Sequence, residues 1–459
     1  MTKLRAWTTR RLAIGGAALA SVSLVVGLAV VASQSPGAGP APTITSQQPA
    51  PPEFVLPTPI AVMAPLARAR EFAPPPSAES LGSRLPRLSW AVAGGSGFRV
   101  VDPATGDILI GATDKLMLPA STMKILTAAV ALDHIAPGTR FQTTVVSPKP
   151  GTLILLGGGD PFLTSKANPI SGAASLTTLA AATARALKSQ GVSTVALGYD
   201  DSRFSGPAWH AAWSSRYAWS ISPVSSLAVD HPKTGFGVRP KDPSRAAANK
   251  FATLLRRQLK VTSVRPARAP DGATTVASVS SQPVELLVER MLRSSDNDAA
   301  ETLRRQAAIA AGMPGSHAAG RRIAEETLER LRLSGQGIVL DDGSGLSRTN
   351  RVRPSVLTST ISLALTEPRF RPLLSGLPLA GVTGTLAERF DDRAEAAGRG
   401  VVHAKTGTLR DVTTLAGYLI TKDGSLLVFA GLANQVRRPW DAMDWLDRSA
   451  SRLAACGCG

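Results

Sequence analysis

A chain of 459 residues is longer than one simple core holds, so two or more domains are expected. Hydrophobic content of 44% and charged content of 18% describe a globular protein with apolar segments. A formal charge of +18 suits work near anionic polymers or an anionic membrane, but no basic run is interleaved with aromatics, which argues against nucleic acid as a partner.

Taken in order, the chain opens with Lys3, Arg5, Arg10 and Arg11, followed by an apolar run from Leu12 to Ala32 about long enough to span a bilayer. Positive charge on the short leading side keeps that end inside, so everything after Ala32 is expected to be exported. Residues 33 to about 85 are rich in Pro, Ala, Ser and Gln and read as an extended spacer. The folded part begins near Leu88. Gly97–Val101 and Ile108–Ile110, joined by Asp102-Pro103-Ala104-Thr105-Gly106, predict a β-hairpin.

The stretch Ser121 to Leu132 comes next. After two hydroxyls and one amine it is apolar on every side, which places a helix in the middle of a domain. Pro119 and Ala120 lead in, and Pro137-Gly138 ends the helical run. Ser121 and Lys124, three apart, share one helix face. A lysine buried among apolar groups has its pKa lowered and can take a proton from a hydroxyl. The helix N-terminus favours an oxyanion beside it. A purely structural reading is equally open here, with Ser121 as a cap and Lys124 reaching out to solvent.

From about 139 to 280 the pattern changes. Leu153–Leu156 and Thr194–Leu197 read as strands, with Ala-rich helices over 173–189 and 243–260, and together they predict a separate α/β insert. Helical periodicity returns at Val284, Leu287, Val288 and Met291 and runs into Ser294-Ser295-Asp296-Asn297. Further helices are predicted from Asp298 to about Ala311, His317 to Leu333 and Pro354 to Leu365. The chain ends in β-structure at Gly400–Thr406, Thr413–Ile420 and Ser425–Ala433, then a helix from Trp440 to Ala454. Lys422-Asp423-Gly424 turns the last two strands into a hairpin. Cys456 and Cys458 stand too close for an ordinary bridge, and five scattered histidines give no ligand spacing, so neither a disulfide framework nor a metal site is indicated.

Three motifs stand out against this background. Of twelve lysines only Lys124 has a serine three places before it, and of five asparagines only Asn297 has a serine two places before it, Ser295. The third is Lys405-Thr406-Gly407-Thr408, in a β-like run. Ser-x-x-Lys, Ser-Asp-Asn and Lys-Thr-Gly in that order form the active-serine penicilloyl signature. A second Lys-Thr-Gly, at Lys233-Thr234-Gly235, precedes the Ser-Asp-Asn element and has no hairpin strand after it, so it reads as a surface decoy.

The residue types match acyl transfer, which needs a nucleophile, a base, a proton path and an oxyanion hole. Ser121 would attack, Lys124 would take its proton, and Ser295 would relay it to the leaving amine. Asn297 would hold the substrate amide or orient Lys124. Lys405, Thr406, Gly407 and Thr408 would form the substrate-binding run, with Lys405 and the two threonine hydroxyls on a terminal carboxylate. Backbone N–H groups of Ser121 and Thr408 would make the oxyanion hole. No cofactor is needed. Asp296 reads as a helix cap and His403 as strand packing. Trp209 and Trp213 read equally as glycan platform or insert core.

On Pro119–Lys124, Ser295–Glu301 and Ala404–Leu409, residues 88–455 resemble the D-alanyl-D-alanine carboxypeptidase/endopeptidase family of low-molecular-mass class C penicillin-binding proteins. Gly157–Pro161 and Asp341–Leu346 also look like family stretches, best read as glycine turns. The resemblance implies an α/β (α+β) chain with the penicillin-binding/β-lactamase-like transpeptidase fold. That fold has an antiparallel five-stranded sheet flanked by helices, with an α/β insert between the Ser-x-x-Lys and Ser-x-Asn motifs. The expected division is 1–33 signal or membrane anchor, 34–85 linker, 86–138 and 281–455 DD-peptidase domain, and 139–280 insert. The resemblance further implies an extracytoplasmic hydrolase that trims peptidoglycan stem peptides ending in D-Ala-D-Ala. β-Lactams would be its covalent inhibitors, and the N-terminal segment would associate with the cytoplasmic membrane. Two rivals stand beside it: a serine β-lactamase, against which the 174 positions between Ser121 and Ser295 speak, and a catalytically silent wall-binding scaffold.

Overall fold

The computed structural model describes residues 72–85, 95–111, 114–167, 172–230 and 239–457. The chain divides into two units, Met1–Ala69 and Arg70–Gly459. The first unit lies outside the described residues, as do the expected anchor, most of the linker and the Lys233-Thr234-Gly235 decoy. Among the described residues no helix is long and apolar enough to cross a membrane.

The second unit carries two five-stranded sheets. The first is antiparallel throughout, in the order β2-β1-β10-β9-β8. Its strands are β1 (Ser96–Val101), β2 (Ile108–Ile110), β8 (His403–Leu409), β9 (Val412–Ile420) and β10 (Leu426–Asn434). β9 and β10 are buried at almost every position, because helices cover both faces. On one side pack α1 (Ala78–Arg84) and α9 (Pro439–Ala454), with Phe98, Phe429 and Leu446 between the layers. On the other lie α2 (Met123–His134), α5 (Val284–Ser294), α6 (Asn297–Ala310), α7 (His317–Arg330) and α8 (Pro354–Thr366).

Helix α2 is the axis of that layer. Every residue from Met123 to Leu132 is buried, and α5, α6, α7 and α8 all contact it. An all-apolar helix has no face to give to water, so it settles where four other helices can cover it. Its entry is a 3-10 turn, Ala120–Thr122, rather than a further turn of α-helix.

The second sheet is mixed, in the order β6-β5-β4-β3-β7. β4 (Thr152–Leu156), β5 (Thr194–Asp200) and β6 (Lys260–Pro266) are parallel, while β3 (Gln142–Lys149) pairs antiparallel with β4 and with β7 (Thr274–Ser280). Helices α3 (Leu176–Lys188) and α4 (Pro243–Leu255) are the βαβ crossovers. β4 reads as an unbroken apolar run because it is central and covered. Three strands here escape sequence patterning. β6 and β7 are half-exposed with Ser, Thr and Lys along them, and β3 mixes the same types. The helix expected over 243–260 therefore stops at Leu255, and Lys260 instead opens β6 beside Thr194. Cys456 is wholly buried and disulfide-bonded, contrary to the expectation from its spacing.

Candidate active site

Ser121 is partly exposed and sits at the mouth of α2, while Lys124 beneath it is fully buried. Lys124 Nζ lies 3.0 Å from Ser121 Oγ, one helical turn away. It donates to Asn297 Oδ1 at 2.7 Å and to the Ser344 carbonyl at 2.7 Å. Both of these partners can only accept, so two N–H groups are committed to them and the third tetrahedral direction faces the serine. Burial pushes the Lys124 amine down from its ordinary value to about 8, with Asp342, Glu301, Asp296 and Asp298 restraining the fall. With the amine neutral, its lone pair meets the Ser121 hydroxyl.

The partners of Lys124 are themselves held. Asn297 opens α6, whose cap is Asp296, accepting from the Ala299 N–H at 2.9 Å. Asn297 Nδ2 donates to the Ser220 carbonyl, which comes from the long segment between β5 and α4. The Ser344 carbonyl belongs to the Asp341–Leu346 turn. Glu301 Oε1 accepts the N–H groups of Gly343 and Ser344 at 2.9 and 2.7 Å. Burial opposes the charge of Glu301, but His317, the Ser344 contact and Arg304 outweigh it and hold the carboxyl at about 2. Asp342 accepts from Gly345 N, Ser347 N and Asn350 Nδ2. It also accepts from the buried Trp213 indole at 2.8 Å. Trp213 packs edge-on to Trp209 and His317. Trp213 is thus core, with the half-buried Trp209 packed on it, at the seam between residues 200–230 and this turn.

β8 forms the opposite wall. Gly407 is tight against the nucleophile: a Cβ there would stand 2.1 Å from Thr414 Oγ1, 2.9 Å from the Pro119 carbonyl and 2.9 Å from Ser121 N. Only glycine lets the strand backbone approach the Ser121 N–H this closely. Thr414, cross-strand from Gly407, donates to the Pro119 carbonyl at 2.9 Å and ties the sheet to the helix entry. Ala120 takes a left-handed φ of 46° and is wholly buried. Gly345, at φ +86°, makes room for its carbonyl, which a Cβ would meet at 1.9 Å.

Lys405 is fully buried, donates to the Thr406 carbonyl at 2.8 Å, and is pushed well below its ordinary pKa by burial, then by Lys124 and Arg389. Thr406 Oγ1 hydrogen-bonds Thr385 Oγ1 at 2.8 Å, and Thr408 is exposed. Ser295 holds the corner between α5 and α6 with a left-handed φ of 56°. Its hydroxyl is not among the partners of Lys124, whose three directions go to Ser121, Asn297 and Ser344. His403 stacks on Tyr418 at 4.8 Å, as strand packing.

The motif residues Ser121, Lys124 and Asn297 therefore touch, and Gly407 abuts them. Sequence reasoning passes over Ser344, Glu301 and Asp342. A backbone carbonyl 220 positions from Lys124 has no side-chain signature, and the signals at Asp341–Leu346 are its likeness to a family stretch and its reading as a glycine turn. Among the described residues no group of three or more His, Cys, Asp or Glu is arranged for a metal ion.

Comparisons with known proteins converge on one family and one fold. The model of the D-Ala-D-Ala carboxypeptidase 3 (S13) family matches residues 84–235 and 220–453. A carboxypeptidase of Mycobacterium tuberculosis is 34% identical over 379 residues, covering 78% of this chain and 80% of that protein. A D-alanyl-D-alanine carboxypeptidase of an Actinomadura species is 30% identical over 436 residues, covering 74% and 77%. The crystal structure of penicillin-binding protein 4 from Haemophilus influenzae matches with a TM-score of 0.67 at 22% identity, covering 81% of this chain and 97% of that one. That match fixes the fold.

Proposed function

The chain belongs to the D-Ala-D-Ala carboxypeptidase 3 (S13) family, and on that premise we propose that it is an exported serine DD-peptidase trimming peptidoglycan stem peptides through an acyl-enzyme on Ser121. The observation that carries the proposal is the buried Lys124 amine, 3.0 Å from Ser121 Oγ, with its other two directions tied to carbonyl-type oxygens.

Lys124 takes the Ser121 proton as Oγ attacks the carbonyl of the penultimate D-Ala. The developing oxyanion is received by the backbone N–H groups of Ser121 and Thr408. The proton leaves with the terminal D-Ala amine, passed from Lys124 directly or through Ser295 after a rotation of that hydroxyl. Water then hydrolyses the acyl-Ser121 ester, with the Lys124 amine again accepting a proton. The Thr406 and Thr408 hydroxyls take the substrate's terminal carboxylate, and the buried Lys405 supplies positive potential behind them. β-Lactams enter the same route and stall at the ester. Glu301 is committed to Gly343 N, Ser344 N and His317. It is thus not free to activate water at Ser121 as a β-lactamase carboxylate would, which supports slow release of penicillin.

In domain terms we propose a peptidase part, 86–138 with 281–455, and an insert, 139–280. The insert braces the partners of Lys124 through Ser220 and Trp213. We also propose that residues 1–33 hold the enzyme at the cytoplasmic membrane, with 34–85 as the spacer. Fluorescent penicillin on the purified chain beside its Ser121→Ala variant is the test. A covalent band in the first alone, with D-Ala release tracking it, is the expected result. No band in either folded protein would leave the scaffold reading in its place.

A further inference from the structure

Charge is unevenly placed along this chain. Residues 139–280 hold 17 Lys or Arg against 6 Asp and no Glu, so more than half of the +18 excess lies in less than a third of the length. The fold gathers part of it at one end of the second sheet. Thr152, Thr194 and Lys260 open the parallel strands β4, β5 and β6, and Lys149 closes β3 opposite Thr152. Helices α3 and α4 finish above the same edge, where Lys188 Nζ donates to Gln258 Oε1 at 3.3 Å. Arg185 stands in the last turn of α3, and Arg256 and Arg257 follow the end of α4. With neighbouring strands about 4.8 Å apart, Lys149 on β3 and Lys260 on β6 are separated by about 14 Å. Lys149, Arg185, Lys188, Arg256, Arg257 and Lys260 are all exposed.

No carboxylate answers them. Among the described residues none of the six makes an ion pair, and the chain has no Asp or Glu from 161 to 199 or from 243 to 270. Cations at a helix C-terminus complement the helix dipole, which accounts for one or two on α3 and on α4. The dipole gives no reason for Lys149 and Lys260, which stand on strands. Like charges so gathered repel one another unless an anion joins them.

This face is the edge of the insert remote from the reacting serine. β4 and β5 end at the opposite edge, and there the insert meets α6. Gln306 Nε2 donates to the Gly158 carbonyl at 2.7 Å, and Gln306 Oε1 accepts from Arg203 Nε at 3.0 Å. The same helix begins at Asn297, on Lys124. A ligand on the basic face therefore leaves the cleft open.

The face also selects among anions. Surfaces that settle on a bilayer set cations beside apolar side chains that enter the headgroup layer. Among the described residues of the insert, Trp219 is the one large exposed apolar side chain, and it lies in the segment that reaches Asn297 through Ser220. A strip of guanidinium and ammonium groups without an apolar partner suits a flexible polyanion in water. Phosphodiesters fit the three guanidinium forks and keep one negative charge per repeat.

We propose that this end of the insert is a docking face for an anionic, phosphodiester-linked polymer of the cell wall. Held there, the enzyme meets stem peptides at a raised local concentration with no new contact in the cleft. The location of the polymer rests on the proposed export of the chain, and its chemistry rests on the face.

The test titrates a fluorescently labelled synthetic poly(glycerol phosphate), about twelve repeats long, into the full chain and reads anisotropy. With roughly four to six phosphates engaged, log K should fall against log salt with a slope of about −3 to −4. Arg185→Gln, Lys188→Gln, Arg256→Gln and Arg257→Gln together should weaken binding about a hundredfold at low salt and flatten the slope to about −1. A control variant changes four exposed arginines of the peptidase part, Arg322→Gln, Arg332→Gln, Arg437→Gln and Arg438→Gln. It should lose less than about threefold. Equal losses in the two variants, or binding that survives the first, overturn the docking face. Tighter binding to phosphatidylglycerol vesicles, or to poly-glutamate of equal length, than to the polyphosphodiester overturns the choice of occupant. Fluorescent-penicillin labelling of Ser121 should be the same in all three proteins, so a failure of the DD-peptidase reading shows there and not in the anisotropy.

Discussion

Replacing Glu301 with glutamine removes one of the buried charges that, with Asp342 first among them, hold Lys124 up against burial. The glutamine keeps an amide oxygen for the Gly343 and Ser344 N–H groups, so the turn that presents the Ser344 carbonyl is retained while one buried negative charge goes. The two 2.7 Å contacts that link Glu301 to Ser344 and Ser344 to Lys124 set the separation. They put the charges about 8 Å apart, worth about 2 kcal/mol at an effective dielectric of about 20. That corresponds to about 1.5 pKa units, and a fall of about one unit is expected after solvent relaxation. The carboxylate raises Lys124 against burial, so its removal lowers the amine below about 8. The assay is the pH dependence of penicillin acylation, which rises as Lys124 deprotonates. Its midpoint should move from about 8 in the parent to about 7 in the variant. At a pH of about 6.5 the neutral fraction of Lys124 grows several-fold, but the weaker base gives part of that back, leaving acylation roughly twofold faster. A midpoint that stays at about 8 or rises, in a protein that keeps its near-UV circular dichroism, refutes the assignment of Lys124 as base or of Glu301 as its electrostatic partner.

Other expected outcomes rest on the same contacts. Gly407→Ala would drive a methyl group into Thr414 Oγ1 and the Ser121 N–H region. Acylation should fall on the order of a hundredfold, as when one oxyanion donor is lost, visible as a drop in kcat rather than a rise in KM. Trp213→Phe leaves an apolar ring but strips the indole N–H from the buried Asp342, at a cost of about 1–3 kcal/mol measured by urea unfolding. Glu301, whose folded pKa lies below its ordinary 4.5 at about 2, contributes stability that is complete above about pH 4.5. That stability is lost as pH falls through about 2. Thermal melts of parent and Glu301→Gln should therefore converge towards a pH of about 2. Glu395 has the opposite sign. Burial, then Asp447, Asp392 and Asp444, raise it to about 7, so the fold loses stability as pH rises from about 4.5 to 7. Glu395→Gln should accordingly raise Tm by about 2 °C at a pH of about 8 and by much less at about 5.

What the sequence determined by itself is what backbone geometry determines locally. Ser121 and Lys124 are neighbours because three residues make one helical turn, and that holds wherever the helix is put. The apolar run to Leu132 could only be an interior helix, and the Val284–Met291 periodicity, the Asp296 cap and the β9–β10 hairpin are equally local. Strands β3, β6 and β7 were not legible, because half-exposed edge and near-edge strands carry Ser, Thr and Lys as readily as loops do. Tertiary structure alone decided the surroundings of the amine. The Ser344 carbonyl reaches Lys124 across 220 positions, through a backbone atom that every residue possesses. Asp342 and Glu301 matter because packing carries them into a dry interior, where a carboxylate several ångströms away still acts on an amine. Trp213 looks the same in sequence as glycan platform or as core, and only its indole on Asp342 separates the two. Burial, unlike spacing, is a property of the whole fold: it sets Lys124 to about 8 and holds Lys405 low, and no motif records it.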